Sequence, residues 1–86
     1  MDDNAERLSR AIANILDRGW QISIRHHEQI DGYAFEFFRQ HQSRTLSMSI
    51  GATRQALAHS LDGMALLGVF ERAADSISTH DQRRSG

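Results

Sequence analysis

From the first residues onward, apolar positions fall into two kinds of rhythm. Leu8, Ile12, Ile15 and Leu16 recur at the spacing that lines one side of an α-helix. Asp2 and Asp3 suit the cap of that helix and Arg18 its negative end, while Gly19 can supply the left-handed residue that stops it. The spacing predicts a helix from Asp3 to Arg18. The rhythm then changes to strict alternation in "WQISIRHH", which points Trp20, Ile22, Ile24 and His26 one way and Gln21, Ser23, Arg25 and His27 the other.

Alternation resumes in "YAFEFF" with Tyr33, Phe35 and Phe37 on one face, and again in "TLSMSI" with Leu46, Met48 and Ile50. Asp31-Gly32 is a favoured two-residue hairpin turn. Pairing about it places Ile30 opposite Tyr33, Glu28 opposite Phe35 and His26 opposite Phe37, all on the apolar face. The three strands form an antiparallel meander with the second in the centre.

Gly51 marks the end of the third strand and Thr53 an N-cap for a final helical region. Here the pattern doubles. Leu57, Leu61 and Met64 form one stripe, and Leu66, Phe70, Ala73 and Ile77 form another nearly opposite to it at 3.6 residues per turn. Either the helix breaks near Asp62-Gly63 and both stripes face one core, or a single helix keeps a spare apolar face for a partner. The second alternative makes Leu66, Phe70, Ala73 and Ile77 a candidate homodimer interface, because two-fold pairing of one patch is the commonest way to bury it. The expected fold is α+β, α-β-β-β-α, with both helices on one face of the sheet. Residues 1–78 form one domain and residues 79–86, "STHDQRRSG" less its first residue, an aperiodic tail.

Composition narrows the functional classes. The 86 residues include no Cys, so neither disulfides nor thiolate metal sites support the core. Ten basic residues, all Arg, balance eleven acidic ones and give no net field that would draw in nucleic acid or anionic lipid. No apolar run reaches the length of a membrane span, and the acidic start differs from a secretory signal, which suggests a cytoplasmic protein.

Chemistry is sparse. His26, His27 and Glu28 adjoin one another and His41 lies further on, but neighbouring strand residues point to opposite faces, so His26 and His27 do not share an ion. His59, Ser60 and Asp62 supply the residue types of a hydrolytic triad, yet on a helix His59 and Ser60 project about 100° apart. No metal, cofactor or catalytic residue is therefore assigned. On the outer sheet face the hairpin pairing sets His27 against Glu36 and Arg25 against Phe38, which makes Arg25, His27, Glu36 and Phe38 a candidate partner face with Phe38 as its anchor.

The α-β-β-β-α order resembles that of double-stranded-RNA-binding domains, and "GATRQALAHSL" is similar to the start of their final helix. The resemblance implies an RNA- or DNA-binding alternative. In that family a Lys cluster at this helix start grips phosphates; here only Arg54 stands there, and "HEQID" lacks the first-loop motif, so no binding residue is carried over. Excess apolar surface favours instead a non-enzymatic interaction module. The expected form is a homodimeric adaptor or inhibitor occupying a surface of a larger protein, of the kind phage and mobile elements direct at host machinery.

Overall fold

The computed structural model describes residues 3–59 and 63–85, the last five by their backbone course alone. In order, the elements are α1 (Asp3–Asp17), β1 (Gln21–His27), a 3-10 turn (Glu28–Ile30), β2 (Gly32–His41), β3 (Arg44–Thr53), α2 (Arg54–Ala58) and α3 (Met64–Ser85). The strands make one antiparallel sheet in the order β1-β2-β3, with the helices on one face. Gly19 stops α1 at φ 85°, and the Thr53 side chain accepts from the Ala56 amide at 3.0 Å to cap α2.

The β1–β2 register differs from that of a two-residue Asp-Gly turn. His27 faces Gly32, His26 faces Tyr33, Ile24 faces Phe35 and Ile22 faces Phe37, so the connection is the four residues Glu28–Asp31. Asp31 takes the left-handed conformation at φ 48°, which its short polar side chain tolerates. Gly32 belongs to the strand. A methyl group there would collide with the Ala52 carbonyl oxygen and stand 2.6 Å from Thr53 Cα, so the close approach of β3 requires glycine where the dipeptide suggests a turn. The shift is by an even number of residues, so the side chains of β1 keep their faces, whereas Glu28 and Ile30, expected on the apolar face, leave the strand for the 3-10 turn.

The inner face carries Ile22, Phe35, Phe37, Leu46, Met48 and Ile50. Phe70 of α3 meets Phe35 and Phe37 edge to face at 5.8 and 5.7 Å, and Ile15, Trp20, Ala73 and Ile77 close the core around them. Two expected core positions are peripheral: Ile24 is 55% and Leu16 52% exposed. The groove between α1 and α3 is lined by Arg7, Ala11 and Asn14 on the α1 side, which leaves Leu16 on the far side of its helix. Ile24 lies on the inner side of the edge strand β1.

The doubled stripe resolves as a break. α2 ends at Ala58, α3 starts at Met64, and Gly63 has φ 71°. The interface expected from the pattern is corrected by burial: Phe70, Ala73 and Ile77 are at most 5% exposed within the single chain, and Leu66 packs against the same core. Leu67, Val69 and Ala74, also buried, widen this face of α3 to roughly 160° of arc. A helix needs so wide an apolar face when it has two neighbours, here the sheet and α1. Leu57 packs against the core, whereas Met64 is 49% exposed.

α1 and α3 run parallel, side by side. Asn4 Nδ2 donates to Met64 Sδ at 3.4 Å, and the Arg7 guanidinium grips Glu71 through Nη2 at 2.6 Å and Nε at 3.2 Å. α3 then continues to Ser85, through the stretch read from sequence as a tail; no Gly or Pro interrupts it after Gly68. Asp2, Ser60, Leu61, Asp62 and Gly86, which the sequence offers as cap, triad, stripe and tail residues, lie outside the described residues.

Candidate interaction surface

The helices cover one side of the sheet, and among the described residues no element covers the other. Alternation assigns to it Gln21, Ser23, Arg25 and His27 of β1, Ala34, Glu36, Phe38 and Gln40 of β2, and Thr45, Ser47, Ser49 and Gly51 of β3. Phe38 is half-buried on the central strand, between Gln21 and Ser47. The four residues expected to form a partner face, Arg25, His27, Glu36 and Phe38, therefore do share one surface.

Their pairing is different. The longer connection sets His27 against Gly32 instead of Glu36, and Arg25 against Ala34 instead of Phe38. Glu36 is claimed by Arg25 on the diagonal, Nε to Oε1 at 3.0 Å, in an ion pair whose side chains are 69% and 32% exposed. The one cation-π contact found among the described residues is elsewhere: the Arg39 guanidinium lies 5.5 Å from the Trp20 ring centre, while its Nη1 donates to the Arg18 carbonyl at 3.1 Å.

At the hairpin end the outer face becomes concave. A bowl of about 540 Å³ is lined by Arg25, His26, His27, Glu28, Gln29 and Ala34. Ile30 reaches over this end, its Cδ1 3.2 Å from where a Cβ on Gly51 would stand, and Ala34 is buried. His26 turns inward and packs edge to face on Tyr33 at 5.8 Å. His41 is at the opposite end of β2, and no group of three or more His, Asp or Glu side chains suited to a metal ion occurs among the described residues.

A second concavity, not foreseen from sequence, runs between β3 and the C-terminal half of α3. It holds about 270 Å³ and is lined by the apolar side chains of Trp20, Leu46, Met48 and Ile77, with Ser76 and His80 at its margin. Trp20 Nε1 and His80 Nε2 are buried without hydrogen-bond partners. Finding it from sequence would have required knowing that α3 passes residue 78 and lies along β3.

No protein-family model matches the chain, and neither curated proteins nor solved structures give a match. No helix among the described residues is long and apolar enough to cross a membrane.

Proposed function

We propose that the protein is a non-enzymatic interaction module, an adaptor or inhibitor that docks its bare sheet face on a larger protein. The observation that supports this is Phe38, an aromatic ring on the central strand of an uncovered face, flanked across the strands by Gln21 and Ser47 and along its own strand by Glu36 and Gln40, with the short side chains Ser23 and Ser49 nearby. Short side chains lose little rotamer entropy when covered, and aromatic anchors carry much of the energy of protein interfaces. Self-association through α3 is no part of this reading, since that stripe is core.

Phe38→Ser should melt within a few degrees of wild type, because only outer-face contacts are lost, and should abolish capture of the partner that wild type retains from native host extract. Retention by both Phe38→Ser and Arg25→Glu would overturn the reading. The duplex-binding alternative is less well supported: Arg54 Nη2 lies 3.6 Å from Asp31 Oδ1, and the helix it opens has only five residues. Affinity tighter than about 1 μM for an RNA duplex of about 20 base pairs, lost in Arg54→Glu, would replace the first reading with the second.

A further inference from the structure

β3 is an edge strand of the sheet, and one of its sides borders the apolar groove under α3. Arg54 N–H donates to the Asp31 carbonyl at 2.9 Å, which extends the β2–β3 ladder by one step. In an antiparallel pair, successive residues direct their N–H and C=O groups alternately toward the partner strand and away from it. Even-numbered residues of β3 therefore bond to β2, and Thr45, Ser47, Ser49 and Gly51 present theirs to the outside. The register is constant over all ten pairs, so no bulge twists this edge away. No charged residue or proline stands between Thr45 and Thr53, and such an edge is a template for strand addition.

The groove supplies the second half. Residues of an added strand opposite Leu46 and Met48 would share the inner face with them, and so point into the 270 Å³ space between β3 and α3. That volume suits one or two apolar side chains. Charge selects the residue beside them. Arg44 and Arg39 sit on the inner row at the Leu46 end, His80 is on the groove margin, and no acidic residue occurs on the inner row.

We propose that β3 binds an extended segment of a partner protein by strand addition, with one apolar side chain in the groove and an acidic residue toward Arg44. The proposal rests on the interaction-module reading but uses an edge and groove distinct from the Phe38 face. β1 is the weaker candidate, being shorter, at seven residues, and not bordered by this groove.

The test is selection of ten-residue peptides from a random displayed library against the full chain, and then fluorescence titration of the enriched peptide. Enriched sequences should alternate apolar and polar residues with one acid, and should perturb and protect the amides of Ser47 and Ser49. N-methylation of alternate peptide amides should weaken binding at least about tenfold, since each removed hydrogen bond to the edge is worth about that factor. Ser47→Pro removes only an outward N–H, so it should keep the fold and lose the peptide, whereas Met48→Pro should unfold the chain. Arg44→Glu should weaken acidic peptides about threefold or more at low salt. No enrichment, enriched peptides that bind as helices or perturb Phe38 instead of β3, or a β3-linked dimer in light scattering would each overturn the proposal. Loss of the cellular partner in Phe38→Ser but not in Ser47→Pro would leave the interaction reading standing and refute this extension of it.

Discussion

Gly32 shows how one residue type can be placed for a reason other than the one its neighbours suggest. Asp-Gly reads as a tight turn, but the turn needs are met by Asp31 at φ 48°, and Gly32 is absent from the positive-φ positions. What it provides is absence of a Cβ where β3 crosses closest. Gly32→Ala should therefore cost about 1–3 kcal/mol, because the clash is with backbone and neither strand can yield without losing ladder bonds. Urea denaturation monitored by circular dichroism measures this. A loss below about 0.5 kcal/mol would show that β3 can move aside. By contrast Arg7→Ala should change stability by less than about 1 kcal/mol, since its ion pair with Glu71 is well exposed.

At the scale of elements, the sequence carried the faces but not the neighbours. Alternation of period two placed Ile22, Phe35, Met48 and their row correctly, because a pleated strand can put them nowhere else. The register of β1 on β2 was not legible: pairings four residues apart satisfy the same alternation, and the choice between them is made by β3 pressing on Gly32. The candidate face was legible for the same reason and its pairs illegible for the same reason. Helical periodicity failed differently. It counts apolar residues around a helix without distinguishing a spare face from one that serves two neighbours, so Leu66, Phe70, Ala73 and Ile77 looked available when α1 and the sheet already claim that arc. Phe70→Asp should then unfold the protein instead of releasing folded monomers, because it buries a carboxylate between Phe35 and Phe37. Loss of far-ultraviolet circular dichroism at 25 °C is the expected result; a folded monomer arising from a wild-type dimer would restore the interface.

The whole molecule is a tile, 40 by 35 by 17 Å, one layer of helices on one layer of sheet. So thin a body has little interior: every buried side chain lies close to one broad surface or the other. β2 alone is paired on both sides, to β1 along seven residues and to β3 along ten. Its amides should be the slowest to exchange with deuterium, and those of α2, a single short turn, among the fastest. Exchange in β2 no slower than in β1 would mean that the sheet opens from its centre.

The parallel contact of α1 with α3 also makes a prediction about how the chain reaches this shape, because non-local contacts close slowly. The two hairpins close over four and two residues, yet Arg7 and Glu71 are 64 positions apart. A three-stranded sheet with one apolar face gains independence only when that face is covered, so the strands fluctuate until α3 arrives. α3 contributes six of the twelve buried apolar side chains among the described residues, which makes its docking the step that commits the chain. Ala73→Gly should accordingly slow refolding in stopped-flow experiments more than it speeds unfolding. Before that step, Phe35 and Phe37 are uncovered beside an unguarded β3 edge. The longer α3 takes to dock, the larger the share of chains that should be diverted to aggregates.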